Sequence, residues 1–340
     1  MKKKILILGG AGFIGSNLGK FLIQNRKIEL TLADYSFARD TSEYYTEQEI
    51  QSINFIKNDF TSPTAFNALD KDFDFVYMLA SVVGVNNTID HPDEVIRVNT
   101  SIIFNCLEWL KTTSVKRVLF SSTSETYSGT TEVLEYPIPT DELVPLCIQD
   151  ILDPRFTYAI TKILGESAFL NYAKKYDFEA TVVRYHNAFG PDMGFKHVIP
   201  HLVERFMNNE TPFRMYGHDQ TRAFSYIDDT VKGTVLAMES EIAAGEIFHI
   251  GSSQEISIEE LIRAVGEIMN YSGEYVEAPT YPGSVSRRCP DISKAKRVLG
   301  YKPQIDWRVG LASTVEWYKS YFSKNKSARQ DGFKEQEKFN

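Results

Sequence analysis

The chain has 340 residues, of which 43% are hydrophobic, and it carries 37 Lys and Arg against 45 Asp and Glu, a formal net charge of −8. This length is enough for one large α/β unit or for two closely joined lobes with a buried core. The acidic balance argues against nucleic acid or an anionic membrane as a partner, so an anionic ligand must be bound by a few placed arginines.

The first half of the chain alternates between short apolar runs and amphipathic patterns. In chain order, the predicted elements are a strand at 5–8, a helix at 16–24, strands at 29–33, 54–57 and 74–79, a helix at 93–111, a strand at 117–121, a helix at 158–176 and a strand at 180–185. Alternation on this scale indicates βαβ units. We therefore predict an α/β fold with a doubly wound parallel sheet, formed by a first domain over residues 1–186.

The pattern loosens after about residue 187. Proline-marked loops and short strands are joined by predicted helices at about 199–208, 228–240 and 258–269. We expect a smaller C-terminal α/β lobe over residues 187–322, with some of this chain returning to the first domain. Residues 323–340 are rich in Lys, Gln, Asp and Glu, and we expect them to form a disordered tail.

The cysteines and the N-terminus both favour a cytoplasmic protein. Cys106, Cys147 and Cys289 are scattered without a CxxC spacing, which fits a reducing compartment. The Met-Lys-Lys-Lys start leads directly into the first apolar run and lacks the long apolar stretch and cleavage site of a signal peptide. No segment approaches the length that spans a bilayer, so we expect no membrane partner. His197 and His201 have no sequence partners for a metal, and none is predicted.

A glycine-rich turn follows the first predicted strand with the spacing Gly-x-x-Gly-x-x-Gly. Glycines allow a tight turn into a helix, and the N-terminal amides of that helix then face a pyrophosphate. The pattern predicts a dinucleotide site that includes Gly9, Gly12, Phe13, Ile14 and Gly15.

Two carboxylates at later strand ends specify the dinucleotide further. Asp34 ends the second predicted strand, about 20 residues past the turn, where a carboxylate accepts hydrogen bonds from the adenosine 2′-OH and repels a 2′-phosphate. NAD is therefore favoured over NADP as the cofactor. Asp59 and Phe60 close the third strand, where a carboxylate and a ring can flank the adenine. A solvated strand end is the alternative for both carboxylates.

Tyr158 and Lys162 lie four residues apart in a predicted helix and hence on one of its faces. Hydride transfer from an alcohol requires a base whose pKa lies near the working pH. The pKa of free tyrosine, about 10, is too high. An ammonium one helical turn away, together with the positive nicotinamide, lowers it. We therefore predict that Tyr158 is the base and that Lys162 lowers its pKa.

A hydroxyl-rich sequence, Ser-Ser-Thr-Ser-Glu, ends the fifth predicted strand. The carboxyl ends of strands in a doubly wound sheet face the ligand crevice. A hydroxyl of Thr123 or Ser124 can hold an alcohol oxygen near Tyr158, and Glu125 can move a second proton. A turn with local side-chain-to-backbone hydrogen bonds is the alternative interpretation.

These motifs together resemble the extended short-chain dehydrogenases/reductases of the NAD-dependent epimerase/dehydratase family, which act on nucleotide sugars. The resemblance extends to about residue 320. Besides the glycine turn, the strand end and the Tyr158–Lys162 pair, it rests on residues 184–191 (RYHNAFGP), 220–229 (QTRAFSYIDD) and 287–295 (RRCPDISKA).

The resemblance implies a Rossmann-like NAD domain and a nucleotide-sugar-binding lobe. It makes Thr123 the active-site hydroxyl, Tyr158 the base, and Lys162 both a ribose ligand and the modifier of the tyrosine pKa. It also implies a diphosphate site made by Asn187, Arg222 and Arg288. Forked guanidinium donors suit a pyrophosphate in an acidic protein.

The resemblance further implies a homodimer, because the helices at 93–111 and 158–176 correspond to an interface of four helices in this family. Its apolar candidates are Ile102, Ile103, Leu107, Ile163 and Phe169. The alternative is that these residues face the chain's own sheet.

The reaction stays open among several outcomes. Family members oxidise the sugar at C4 and retain NADH; they then act as epimerases, dehydratases or decarboxylases in polysaccharide or nucleotide-sugar biosynthesis, and release of NADH gives a plain C4 dehydrogenase. Ser124 stands where dTDP-glucose-type dehydratases carry an aspartic acid, and Thr-Ser-Glu with Arg-Arg-Cys-Pro-Asp resembles UDP-glucuronate decarboxylases. A proline-rich insert at 136–155 is longer than expected and leaves the sugar open. A non-catalytic NAD-binding regulator is the alternative of another class; the presence of Tyr158 and Lys162 argues against it.

Overall fold

The computed structural model describes residues 2–37, 41–280 and 285–325. Its helices in these ranges are α1 (Phe13–Asn25), α2 (Glu47–Ser52), α3 (Val85–Asp90), α4 (Pro92–Leu110), α5 (Ser128–Val133), α6 (Thr157–Lys175), α7 (Val198–Met207), α8 (Ile227–Glu239), α9 (Ile258–Ile268), α10 (Ser293–Leu299) and α11 (Trp307–Lys324). Its strands are β1 (Lys3–Leu8), β2 (Ile28–Asp34), β3 (Ile53–Lys57), β4 (Phe75–Met78), β5 (Arg117–Thr123), β6 (Glu179–Tyr185), β7 (Ala188–Phe189), β8 (Phe213–Tyr216), β9 (Thr221–Ala223), β10 (Ser225–Tyr226), β11 (Ile247–Ile250), β12 (Glu255–Ser257), β13 (Tyr275–Ala278) and β14 (Arg287–Arg288).

Seven strands form one sheet in the order β11-β6-β5-β4-β1-β2-β3, and every neighbouring pair is parallel. The predicted α/β fold with a parallel sheet is confirmed. The six predicted strands form β1 to β6, and the seventh, β11, comes from the chain after residue 187. The strand order reverses between β1 and β4, and in such sheets a ligand crevice opens outside the carboxyl ends of the strands at that point.

Helices cover both faces of the sheet because successive side chains of a strand point to opposite sides. In β1, Ile5 and Ile7 join a buried cluster that also contains residues of α1 and α8. Leu6 and Leu8 join a second cluster, on the other face, with residues of α4 and α6. The uninterrupted apolar run of β1 is therefore explained by burial on both sides.

A third buried cluster joins α7, α9 and α11 to the short parallel pair β8 and β13. These elements lie in the predicted smaller lobe, whose boundaries at 187 and 322 stay predictions. Helix α11 continues through Lys324, past the predicted start of the tail at 323. The remainder of that tail, 326–340, lies outside the described residues. In the described ranges, no helix is both long and apolar enough to cross a bilayer.

Most of the residues expected in a dimer interface pack inside the chain instead. Four of them are buried against the sheet, because they form the inner faces of α4 and α6: Ile102, Ile103, Leu107 and Phe169. The fifth, Ile163, is half-buried. The outer faces of the two helices expose three other apolar side chains: Ile96 (44%), Phe104 (41%) and Leu164 (37%).

A buried ion pair connects α6 to β6. The carboxylate of Glu166 accepts hydrogen bonds from Arg184 Nε (2.8 Å) and Nη2 (2.7 Å) and from the hydroxyl of Ser122 on β5. Both charged side chains are almost fully enclosed, at 4% and 2% exposure. Burying either charge without its partner would strongly destabilise the fold.

We predict that Glu166→Ala lowers the free energy of unfolding by about 3–5 kcal/mol, because it leaves the Arg184 guanidinium buried and unpaired. The matched control is Glu259→Ala, which removes an exposed pair with Arg263 (2.8 Å) and should cost less than about 1 kcal/mol. Urea unfolding of the two variants and the parent measures both values. Equal losses in the two variants would contradict the structural importance of the buried pair.

Candidate active site

The glycine turn packs too closely for side chains. Gly9 has a φ of +87°, and a Cβ there would lie 2.6 Å from the backbone nitrogen of Ala80. A Cβ on Gly15 would overlap the carbonyl oxygen of Gly9. Gly12 is the N-cap of α1 and offers no side chain to its first amides, which follow at Phe13 and Ile14. These amides are available to an anionic ligand, so the turn fits the pyrophosphate of a dinucleotide.

Asp34 lies directly beside this turn at the end of β2. Its Oδ2 accepts a hydrogen bond from the Ala11 N–H (2.9 Å), and its Oδ1 accepts one from the Ser36 N–H (3.4 Å). The strand register therefore brings the predicted 2′-OH acceptor to the pyrophosphate turn.

Asp59 and Phe60 have different surroundings. Asp59 is exposed, and its Oδ1 accepts hydrogen bonds from the hydroxyl (2.7 Å) and the N–H (3.0 Å) of Thr61, which hold the pKa of the carboxyl below its ordinary value. The Phe60 ring is 4% exposed and packs edge-on against Phe66, with centroids 5.1 Å apart. The ring therefore packs in the core, where burial of an aromatic ring is more favourable than exposure, and the expectation that it flanks an adenine stays a prediction.

Lys162 lies on the inner side of α6, against β5. Its Nζ donates to the carbonyl oxygen of Ser121 (2.8 Å) and lies 5.6 Å from the centroid of the Tyr158 ring. Burial lowers the pKa of Lys162 to about 7, against the opposing effect of the Glu166 carboxylate one turn along the helix. The structure thus brings the predicted pair together, with the ammonium fixed by the sheet.

In the polypeptide alone the pKa of Tyr158 is raised, and the lowering expected with a bound nicotinamide stays a prediction. Burial raises the pKa of the phenol, and the negative charge of Glu125 raises it further. Lowering it requires additional positive charge at the phenol, of the kind that a nicotinamide ring carries.

At the end of β5, Ser124 and Glu125 contact an arginine, whereas Thr123 makes a local hydrogen bond. Thr123 ends β5, and its hydroxyl accepts the N–H of Glu125 (3.3 Å), as in the turn considered for this sequence. Arg288 Nη1 donates to Glu125 Oε1 (3.1 Å) and to the hydroxyl of buried Ser124 (3.4 Å).

Glu125 pairs with two guanidinium groups. Its Oε1 lies 3.1 Å from Arg288 Nη1 and 3.8 Å from Arg155 Nη2. Burial raises the pKa of Glu125, but the charges of Arg288 and Arg155 outweigh this effect and hold it below its ordinary value. Sequence reasoning treated Arg155 only as the end of the insert. Its position three residues before Tyr158, one helical turn away, was the signal that could have identified it.

The three residues expected at a diphosphate lie around β9. Strand β14 pairs with β9 so that Arg288 lies opposite Arg222, and Asn187 Nδ2 donates to the carbonyl oxygen of Ala223 (2.9 Å). Burial and the neighbouring charge of Arg288 lower the pKa of Arg222 to about 10. The buried Arg288 Nη2 has no hydrogen-bond partner within the described part of the chain. Two adjacent cations, buried Arg288 and half-buried Arg222, and an orphaned donor are an arrangement that suits an anionic ligand.

Comparisons with known proteins agree with this geometry. Residues 5–251 match the sequence model of the NAD dependent epimerase/dehydratase family. The UDP-N-acetyl-alpha-D-glucosaminuronate decarboxylase of Bacillus cytotoxicus is 33% identical to the chain, over 94% of the chain and 98% of the relative.

Two solved structures share both the fold and more than a quarter of the sequence. The UDP-glucose 4-epimerase of Thermotoga maritima, in a structure with UDP-glucose, has a TM-score of 0.81 and 28% identity, over 94% of this chain and 99% of its own. The UDP-glucuronic acid 4-epimerase of Bacillus cereus, in complex with UDP-glucuronic acid and NAD, has a TM-score of 0.79 and 26% identity, over the same shares. The predicted Rossmann-like fold and NAD dependence are thereby confirmed. The chain belongs to the NAD-dependent epimerase/dehydratase family of nucleotide-sugar enzymes.

Proposed function

We propose that the chain oxidises a UDP-linked uronate at C4, with Tyr158 as base and NAD as hydride acceptor, and then decarboxylates it. The observation that carries the proposal is that Arg155, Arg222 and Arg288 lie around Glu125. The charge of Glu125 in turn raises the pKa of Tyr158. Enclosed guanidinium groups require anionic partners. A UDP-uronate supplies a diphosphate and a carboxylate on one molecule.

The glycine turn and the strand ends would hold the cofactor. The first amides of α1 bind the pyrophosphate at the tight turn that Gly9, Gly12 and Gly15 permit, and Asp34 accepts a hydrogen bond from a ribose hydroxyl. Lys162 contributes a second ribose contact, and Asp59 lies where it can accept from the adenine amino group. When bound, NAD takes the hydride from C4 of the sugar.

The chemistry at C4 needs a proton acceptor that is fixed in place. Tyr158 accepts the proton of the C4 hydroxyl, and the Thr123 hydroxyl holds the same oxygen. The Lys162 ammonium, anchored on the Ser121 carbonyl oxygen, stabilises the phenolate that begins this step.

The nucleotide end of the substrate meets the arginine pair across β9 and β14. Arg222 and Arg288 bind the diphosphate with charge-assisted, forked hydrogen bonds, and Asn187 adds an amide donor. Arg155 adds positive charge beside Glu125. This charge favours an acidic sugar substituent over a neutral one.

Decarboxylation is the outcome that the remaining residues support best. Oxidation at C4 makes a uronate a β-keto acid, whose C5–C6 bond breaks to release carbon dioxide and leave an enolate, without a base that removes the C5 proton. Protonation of C5 by water gives a C4 ketone. The hydride and the proton held by Tyr158 would then return to C4 and its oxygen, so that the net change is loss of carbon dioxide. Dehydration instead needs an acid for the leaving hydroxyl, and the Ser124 hydroxyl beside Arg288 is not acidic. Glu125 is held ionised by its arginines, so it is a poor proton donor as well.

We propose further that the enzyme is a homodimer through the outer faces of α4 and α6. The support is the exposure of Ile96, Phe104 and Leu164 on these two helices. Side chains of this kind on adjacent helices favour association, because their contact removes apolar surface from water.

The reaction is tested by incubating the NAD-loaded protein with UDP-glucuronate, with UDP-N-acetylglucosaminuronate and with UDP-glucose. Mass spectrometry then gives the product masses, and chromatography separates isomers. We expect loss of carbon dioxide from a uronate and no change in UDP-glucose, which lacks the carboxylate. An isomer of unchanged mass would show an epimerase, loss of water a dehydratase, and loss of two hydrogens a net dehydrogenase. Conversion of no nucleotide sugar despite bound NAD would indicate a non-catalytic protein.

Replacing the proposed base should stop the first step. Tyr158→Phe should lower kcat by about 10²–10⁴-fold, because no group then accepts the C4 proton. The measurement is the absorbance of reduced nicotinamide in a single turnover. Tyr172→Phe, near the C-terminal end of the same helix, where the hydroxyl donates to Glu108 (3.3 Å), is the control and should keep the parent rate. A Tyr158→Phe enzyme with unchanged turnover would rule out this role.

The proposed dimer can be dissociated by one charge. Phe104→Glu should give a monomer, since it would place a carboxylate in the apolar contact, where an unpaired charge is costly. Light scattering after size exclusion measures the mass. Ile242→Glu, at an apolar side chain that is 67% exposed outside these helices, should leave the dimer intact. Dissociation by both variants, or by neither, would argue against this interface.

A further inference from the structure

Arg288 lies on β14. The segment between the end of β5 and Tyr158 makes hydrogen bonds to the chain on both sides of this residue. On one flank, the carboxylate of Glu132 in α5 accepts hydrogen bonds from the N–H (3.0 Å) and the hydroxyl (3.1 Å) of Ser286. Ser286 lies two residues before Arg288. The carbonyl oxygen of Ser286 accepts a hydrogen bond from Arg222 Nη1 (3.3 Å). Glu132 therefore contacts a residue that binds Arg222 and precedes Arg288 by two positions.

On the other flank, the insert at 136–155 pairs with the chain just after Arg288. The N–H of buried Thr140 donates to the carbonyl oxygen of Cys289 (3.0 Å), and the Thr140 carbonyl oxygen accepts from the N–H of Asp291 (2.7 Å). Thr140 therefore forms a parallel bridge to Pro290. This contact is made by backbone groups, and so it fixes the chain path irrespective of side-chain type.

The two contacts belong to one connected unit. The N–H of Gly129 in α5 donates to the carbonyl oxygen of Cys147 (2.9 Å), and the N–H of Tyr136 donates to the carbonyl oxygen of Thr130 (3.2 Å). Helix α5 and the insert thus brace one another, and together they hold the backbone on both sides of Arg288.

We propose that Glu132 is a positioning residue, which together with the backbone bridge at Thr140 holds Arg288 against Ser124 and Glu125 so that its guanidinium is ready for the substrate diphosphate. This inference rests on the diphosphate role proposed above for Arg288. A guanidinium held in place before binding loses less conformational entropy when the ligand arrives. The contacts of α5 and of the insert with β14 therefore act on substrate affinity through Arg288.

The negative charge of Glu132 allows a discriminating test, because the charge and the positioning contact should change UDP affinity in opposite directions. This carboxylate opposes the lowering of the Arg222 pKa, and a negative charge near the site repels a diphosphate. Its removal would tighten UDP binding if charge alone mattered, and would weaken UDP binding if positioning dominates. Glu132→Gln removes the charge and keeps one carbonyl acceptor for Ser286, which separates the two effects.

The experiment is calorimetric titration of the NAD-saturated protein with UDP. We expect Glu132→Ala to raise the Kd for UDP about fivefold, the effect of one lost hydrogen bond, and Glu132→Gln to stay close to the parent. Glu135→Ala is the matched control in the same segment and should also match the parent. Arg288→Ala should raise the Kd more, and adding Glu132→Ala to it should have no further effect. Unchanged NAD affinity in all variants checks that they are folded.

UDP binding by Glu132→Ala that equals or exceeds that of the parent would overturn the positioning role, as would an equal further loss in the Arg288→Ala background. UDP binding by Arg288→Ala as tight as that of the parent is a different result: it would contradict the diphosphate role of Arg288 itself, and the positioning role together with it.

Discussion

The site depends on one enclosed charge, the Lys162 ammonium between α6 and β5. A lysine in such a place loses its hydration, and burial lowers its pKa to about 7. Two features keep a proton on it: the Ser121 carbonyl oxygen at 2.8 Å and the Glu166 carboxylate one turn away. Glu166 is in turn neutralised by Arg184, whose strand β6 leads to Asn187. The base, its cation and the proposed substrate ligand are thus connected through the buried ion pair that also supports the fold.

The same chain resolves the problem of binding an anion to an acidic protein. Its net charge of −8 repels a nucleotide sugar at long range. Inside the crevice, the strand pairing of β9 and β14 brings two arginines side by side, and Glu125 partly balances them. Burial, and next the neighbouring charge of Arg288, lower the pKa of Arg222 in the polypeptide alone. A diphosphate bound as proposed would relieve the repulsion between the two arginines and so would favour the complex over the free protein.

What could be predicted from the sequence followed from short-range patterns. The glycine turn, Asp34 after β2 and the Tyr158–Lys162 spacing depend on local geometry, and the structure brings each into the expected place. The remaining features need information about packing. The ring of Phe60 and the aliphatic groups on the inner face of α4 fill the core, which their residue types alone do not distinguish from a ligand or dimer contact. Arg155 and Glu132 act across long loops, and no local period indicates which strand they meet. Burial of the Tyr158 phenol, and next the charge of Glu125, raise its pKa, and both come from the fold.

The residues proposed for catalysis and those proposed for substrate recognition are divided between the sheet and the loops. Residues proposed for hydride and proton transfer lie on β1, β2, β5 and α6, whose positions are fixed by the parallel sheet and its buried faces. The arginines proposed for substrate recognition come from three separate places: the end of the insert, β9 and β14. These places are joined by hydrogen bonds such as those of Thr140 and Glu132, not by the main sheet. A change of a few residues there can move a guanidinium group without disturbing Tyr158 or Lys162, and so can alter the accepted sugar while C4 oxidation is retained.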